Sequence, residues 1–274
     1  MQTGKKPKVA VLMSVYSRER PEFLKESIES MFAQFYGKVD VHLFKDGLLG
    51  QTLEQLLADF KIRYPEQLFI YQNPVNRGLA ICLNEMIQTV REDYDYFARM
   101  DSDDVAMEDR IEKQVAFMET HPEIDVVGGF IHDIDERGKI LKNVKYPQTH
   151  DEIYRFFRKR NPIAHATVMY RRSYFDKAGL YPPVRLEDGL YWMQGFVAGC
   201  RFQNIPDYLV RVRRTDDFLK RRSGLEMVWK EFLIKLRINR ALHYGPSAYF
   251  YTFATLGVQL MPVSIKQVLY NKLR

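Results

Sequence analysis

The chain of 274 residues has only two cysteines, Cys82 and Cys200. That excludes a disulfide framework and any cysteine-built metal cluster, and it fits a reducing compartment. The start, MQTGKKPKVAVLM, has no apolar stretch of signal-peptide length, so it reads as a first strand rather than a leader. No G-x-x-x-x-G-K-[ST] loop and no G-x-G-x-x-G follow that strand, which removes the P-loop and dinucleotide fingerprints. A nucleotide held by this chain would need its phosphates neutralised by a metal and by cationic side chains. Internal repeats and low-complexity linkers are also lacking. The net charge is only +6, but it is unevenly spread: residues 211–274 hold 13 basic and 4 acidic residues (+9), and the other 210 hold 28 and 31 (−3). A basic tail on a mildly acidic body points to an anionic partner, either a membrane surface or nucleic acid.

What is present is a repeated alternation of apolar runs and helical periodicity. Val9–Met13, Val39–Phe44, Leu68–Tyr71 and Tyr94–Met100 read as strands. Between them Leu24, Ile28 and Met31, then Leu53, Leu57 and Phe60, then Leu79, Leu83, Met86 and Val90 recur at helical spacing. Strand–helix units about 30 residues long predict an α/β fold with a mostly parallel sheet and helices on both faces. Ligands of such sheets bind beyond the carboxyl ends of the strands. The polar residues gather there: Ser14 and Tyr16, then Asp46, then Asn76 and Arg77, then Asp101, Ser102, Asp103 and Asp104. Further along, a helix is expected over Glu108–Glu119, a hairpin over Ile124–Ile134 and Lys139–Lys145, and a helix near Asp151–Arg158. Strands are expected over Ala166–Tyr170 and Tyr208–Arg213, and two acids, Glu187 and Asp188, precede a helix.

The segment YFARMDSDD runs a buried strand into three carboxylates. Like charges this close repel and are costly to bury unless something neutralises them. Asp101 and Asp103, two positions apart on a turn, can aim at one hard cation, Mg²⁺ or Mn²⁺, that prefers oxygen ligands and a diphosphate. A solvated turn with a helix cap is the rival reading of the triplet alone.

SVY (Ser14–Tyr16), DG (Asp46-Gly47), NRGLAICLN (Asn76–Asn84), RMDSDD (Arg99–Asp104), NPIAHATVMYRRSYFDKAGLY (Asn161–Tyr181) and LEDGLYW (Leu186–Trp192) occur in this order. Together they resemble a family 2 glycosyltransferase of the GT-A fold, over about residues 8–213. Within that family the chain is similar to bacterial enzymes that build exopolysaccharide and O-antigen repeat units on a lipid carrier. The resemblance implies that Ser14, Val15, Tyr16 and Asp46 hold the nucleotide base, and that Asn76, Arg77, Asp101 and Ser102 complete the nucleotide-sugar site. It implies that Asp103, with Asp101, binds Mn²⁺ or Mg²⁺ at the diphosphate, and that Asp188 is the catalytic base of an inverting transfer. His165, Glu187, Trp192, Arg221 and Arg222 are candidate acceptor or diphosphate contacts. The donor implied is UDP-linked, with galactose or glucose as the sugar, and the acceptor is a lipid-linked oligosaccharide. Lys45 stands where many relatives carry an acid. Q-x-x-R-W of processive synthases is absent, so one sugar per encounter is expected.

The domains expected are a catalytic unit, residues 1–215, and a basic amphipathic helical region, residues 216–274. In the latter, Leu225, Val228, Trp229, Phe232, Leu233 and Leu236 form one helical stripe, which leaks at Ile234, Ile238 and Arg240. The 22 residues Tyr244–Ile265 carry no charge. Glycine and proline interrupt them, so an interfacial segment on the anionic inner face of the cytoplasmic membrane is expected rather than a span, with Tyr249, Phe250, Tyr251 and Phe253 at headgroup level; a helical pair packed on the catalytic body is the rival reading. Two other functions compete. A nucleotidyltransferase needs a glycine-rich triphosphate loop, but SVYSRERP after the first strand has no glycine. A nucleic-acid-binding protein should line a groove with cations, but here the strand ends are acidic.

Overall fold

The computed structural model describes residues 6–37, 39–215 and 224–261. Its strands are β1 (Val9–Val15), β2 (Asp40–Asp46), β3 (Leu68–Asn73), β4 (Tyr96–Asp101), β5 (Val105–Ala106), β6 (Val126–Ile134), β7 (Ile140–Val144), β8 (Met169–Arg171) and β9 (Phe202–Arg213). Among the described residues nine strands form one sheet in the order β3-β2-β1-β4-β8-β6-β9-β5, with β7 paired to the end of β6 beyond β8. β1 to β4 are mutually parallel where they pair, as expected, while β8 joins β4 antiparallel.

The continuous apolar run of β1 is explained by cover on both faces. Val9, Val11 and Met13 pack into one core cluster under helices α1 (Pro21–Phe32), α2 (Gln51–Arg63) and α4 (Arg110–Thr120). Ala10 and Leu12 pack into the other, under α3 (Leu79–Val90), α6 (Ser173–Ala178) and α7 (Glu187–Val197). The period-2 alternation of a strand therefore sorts its side chains between two layers. α1 starts at a proline, whose missing N–H costs nothing in a first turn. Its Ser27 Oγ donates to the Asp101 carbonyl at 2.7 Å, fixing the end of β4.

Two elements differ from expectation. The segment expected as a strand over Ala166–Tyr170 begins as a 3-10 turn (His165–Thr167), and only Met169–Arg171 pairs. β9 starts at Phe202, six residues before the expected Tyr208. Ile205 pairs with Gly129 and Tyr208 with Phe130, so Pro206 and Asp207 bulge out of the ladder. Proline has no N–H to give a ladder, and that break hides the first half of the strand.

α5 (His150–Phe157) carries a capping box between Thr149 and Glu152. α8 (Leu225–Ala241) docks on the body through Ile238 and Leu242, which join the cluster around Trp192. Tyr154 Oη also donates to the Leu242 carbonyl at 2.6 Å. α9 (Pro246–Leu260) packs on α8, where Asn239 Nδ2 donates to Thr252 Oγ1 at 2.9 Å. The expected stripe splits. Val228 and Phe232 are buried, whereas Leu225, Trp229 and Leu233 are 77%, 55% and 48% exposed. Ile238, which looked like a flaw in the stripe, is a packing residue, because the buried line turns toward the body at the end of α8. Among the described residues no helix is long and apolar enough to cross a membrane.

Candidate active site

β1, β2 and β4 end side by side, and their register brings Ser14 opposite Asp101 and Phe44 opposite Ser14. At the end of β2, Asp46 is 5% exposed. Its Oδ1 accepts the Arg77 N–H at 2.7 Å and its Oδ2 the Gly78 N–H at 2.9 Å. The Asn76 side chain returns a 3.3 Å bond to the Asp46 carbonyl. Asp46 thus fixes the loop that carries Asn76 and Arg77. Gly47 permits the approach: its φ is +92°, and a Cβ there would lie 3.0 Å from the Asn76 nitrogen. The Arg77 guanidinium is exposed and ion-paired with Glu85 at 2.6 Å. Val15 is wholly buried, so it offers the rim only backbone, while Ser14 and Tyr16 are half-buried.

At the end of β4, Asp101, Asp103 and Asp104 bring one carboxylate oxygen each within 4.8 Å of one another. Asp101 is ion-paired with Arg99, two residues earlier on the same strand face. Burial alone would raise Asp101, but the Arg99 guanidinium holds its carboxyl below the ordinary range. Asp103 is pushed up to about 7 by burial, Asp101 and Glu19. Asp104 is raised well above the ordinary range by burial and then by Asp103 and Asp101. Asp104 Oδ1 accepts the Arg213 N–H at 2.8 Å, while its buried Oδ2 has no partner among the described residues. The residues fit a hard divalent cation: three convergent carboxylates, one with an orphaned oxygen, and too little positive charge to keep all three ionised. Ser102 is buried and donates to Glu19.

Arg213, the last residue of β9, is 3% exposed and structural. It donates to the carbonyls of Asp103 and Glu136, both at 3.0 Å, and pairs with Glu26. Arg214 pairs with Asp133 at 2.6 Å. Arg221 and Arg222 lie outside the described residues.

Glu187 and Asp188 open α7, after Leu186 in the left-handed region at φ 63°. Asp188 Oδ1 accepts the Gly189 N–H at 2.8 Å, and its Oδ2 accepts Asn161 Nδ2 at 2.7 Å. Burial and then Asp188 push the Glu187 carboxyl up to about 7. His165 belongs to the floor: its Nε2 meets Tyr181 Oη at 2.9 Å, and Tyr181 Oη meets Tyr170 Oη at 2.6 Å. Burial, then Arg99, holds its imidazole well below the ordinary range, so it is neutral. Trp192 is wholly buried among Tyr170, Tyr191 and Phe202. It is core, so it does not serve as an acceptor wall.

Sequence reasoning missed three residues at this rim, Arg99, Glu19 and Asn161, and it read Asp104 as one of the three carboxylates without assigning it to the metal. The two-residue spacing of Arg99 and Asp101 on one strand was the available signal for the first.

The family model for glycosyl transferase family 2 matches residues 10–179. The chain belongs to this family. As a family 2 glycosyltransferase it is 36% identical to a Haemophilus influenzae glycosyltransferase over 96% of this chain and 98% of that one. It is 31% identical to the amylovoran biosynthesis glycosyltransferase AmsE of Erwinia amylovora, over 96% of this chain and 98% of that protein. It is 24% identical to the Escherichia coli UDP-Gal:alpha-D-GlcNAc-diphosphoundecaprenol beta-1,3-galactosyltransferase, over 97% and 96%. Its fold is the GT-A arrangement. The Staphylococcus aureus TarS structure in complex with UDP-GlcNAc superposes with a TM-score of 0.64 at 17% identity, over 94% of this chain and 82% of that one. The Pyrobaculum calidifontis mannosyltransferase PcManGT, in complex with GDP-Man and Mn²⁺, gives 0.59 at 16% identity, over 98% and 80%.

Proposed function

We propose that this glycosyltransferase moves a single sugar, galactose or glucose, from a UDP-linked donor to a lipid-linked oligosaccharide in the synthesis of a bacterial surface polysaccharide, with inversion. The observation that carries the reading is the set of three carboxylates converging within 4.8 Å at the rim where the strands end. Residues 1–215 form the catalytic unit, and residues 216–274 form a region that rests on the anionic inner face of the cytoplasmic membrane.

Ser14, Val15 and Tyr16 line the base, with Asp46 setting the loop of Asn76 and Arg77 beside it. Asp101, Ser102 and Asp103 take the ribose and diphosphate side. Asp101, Asp103 and Asp104 hold Mn²⁺ or Mg²⁺, which when bound offsets the charge of the leaving diphosphate. Asp188 accepts the proton of the acceptor hydroxyl as it attacks the anomeric carbon, a step worth on the order of 10²–10⁴-fold. Its two bonded oxygens fix its orientation, because Asn161 and the Gly189 N–H each hold one. Glu187, raised by burial, stands beside it as an acceptor-side hydrogen-bond partner.

The exposed Trp229, Leu233, Phe250 and Phe253 of α8 and α9 support the membrane part of the reading. Each nearby Lys or Arg adds about 1 kcal/mol on an anionic surface. The test is transfer from UDP-galactose and UDP-glucose to a sugar-diphosphate-polyprenol, with Mn²⁺ or with EDTA. Product formation only with metal supports the reading; hydrolysis or no reaction with every UDP-sugar overturns it.

A further inference from the structure

The junction of α5, α8 and α9 contains a basic depression that the donor site does not use. It is shallow and open to solvent, with an enclosed volume of only about 20 Å³, and its walls include Arg158, Arg160, Asn161, Lys235 and Ile238. Among the described residues none of its three cations forms an ion pair. Arg158 Nη1 reaches only Ser247 Oγ, at 3.3 Å, and its buried Nε has no partner. Lys235 Nζ donates to the Lys159 carbonyl at 3.2 Å and reaches Thr255 Oγ1 at 3.5 Å. Arg160 lies over the Phe156 ring at 5.0 Å. A buried guanidinium N–H without an acceptor is costly, and native structures rarely leave one so. Burial also lowers the Lys235 pKa, with Glu231 acting the other way.

Two neighbours give this depression its direction. On one side, Asn161 forms part of the wall and holds Asp188 Oδ2 at 2.7 Å. Gly189, next to Asp188, would place a Cβ 3.3 Å from Asn161 and 3.5 Å from Ile238, so the first turn of α7 abuts the same wall. On the other side, one face of α9 runs along the cations: Ser247 meets Arg158, Tyr251 lies under Lys159 at 5.4 Å, and Thr255 meets Lys235. The same helix exposes Phe250 and Phe253, at 70% and 58%. The depression therefore lies between the base and the face of α9 that carries Ser247, Tyr251 and Thr255, while Phe250 and Phe253 are exposed on other faces of the same helix.

We propose that Arg158, Arg160 and Lys235 seat the diphosphate of a lipid-linked acceptor, with the sugar directed to Asp188 and the hydrocarbon along α9. This rests on the reading of the acceptor given above. Guanidinium forks suit phosphate oxygens bidentately, and the ammonium supplies a third cation. The two phosphates carry the acceptors that the Arg158 Nε lacks.

The test titrates farnesyl diphosphate, farnesyl monophosphate and inorganic pyrophosphate into the full chain in EDTA, which keeps the metal-dependent donor site out of the measurement. Arg158→Gln/Lys235→Gln is compared with the unaltered protein, with the thermal response to UDP and Mn²⁺ measured in parallel. Farnesyl diphosphate should bind most tightly, and each substitution should weaken it about tenfold while the UDP response stays. Arg160→Gln, at an exposed position, decides the matter if the double variant does not fold. Equal affinity in the unaltered protein and the variants overturns the proposal. Inorganic pyrophosphate binding as tightly as farnesyl diphosphate also overturns it, because the site would then serve a free anion. Absence of any UDP response in the unaltered protein counts against the donor reading instead, and the farnesyl series still reports on the pocket.

Discussion

Replacing Asp103 with asparagine should make the metal-free protein more stable while destroying its response to metal. The carboxyl sits within 4.8 Å of two others and is pushed from an ordinary 3.8 up to about 7 by burial, Asp101 and Glu19. The folded chain thus holds this proton more tightly than the unfolded chain. The stabilisation is complete below the unfolded pKa, near 4, and is lost as pH rises through 7. At about 1.36 kcal/mol per unit, the full shift corresponds to about 4 kcal/mol at pH 8. Solvent at a half-buried carboxyl screens part of this, so relief of about 2 kcal/mol is expected from Asp103→Asn. For a chain of this size that is about 4–8 °C in Tm. The assay is thermal unfolding in EDTA at pH 8 and pH 5, then with UDP and Mn²⁺. The variant should exceed the unaltered protein at pH 8, by less at pH 5, and gain nothing from UDP and Mn²⁺. A variant no more stable than the unaltered protein at pH 8, or a difference independent of pH, would refute the reasoning about the acidic cluster.

Two further predictions concern other groups. Asp188→Asn should lower kcat on the order of 10²–10⁴-fold with UDP affinity unchanged. Glu187→Gln should cost less, and near-full transfer by Asp188→Asn would move the base to Glu187. His42 on β2 is 2% exposed, and burial pushes its imidazole from 6.5 down to about 4. Its folded pKa is depressed, so stability present above pH 6.5 is lost as pH falls toward 4, by about 3 kcal/mol. His42→Phe should flatten that part of the Tm–pH curve, and identical slopes would contradict the assignment.

The parallel half of the fold was legible because its strands and helices are long and periodic, and because Pro21 and the Asp46-Gly47 turn mark element ends. β5, two residues long, and β8, three residues long, offer no window in which a period can register. Asp101 and Asp103 were legible as a pair by spacing. The involvement of Asp104 depends on which way the turn folds, and Arg99 becomes meaningful only when its partner is seen on the same face. Arg213 reads as one of several arginines in a basic run, but its backbone and side chain together clamp the acidic turn from β9. The Asn161–Asp188 bond spans 27 residues and carries no local pattern. The apolar stripe of α8 was readable, but which part of it meets the body was not, because two different surfaces compete for the same helix.

The most direct test of the central claim is thermal unfolding of the full chain with UDP, GDP, CMP, dTDP or UTP, each with Mn²⁺ or EDTA. A ligand at 100 times its Kd adds about 2.7 kcal/mol, which is about 5–10 °C here. The account predicts that UDP raises Tm with Mn²⁺ and not with EDTA, and that GDP, CMP and dTDP do less. No shift with any nucleotide in the presence of Mn²⁺ would contradict it, and the three carboxylates would then be no more than an acidic turn.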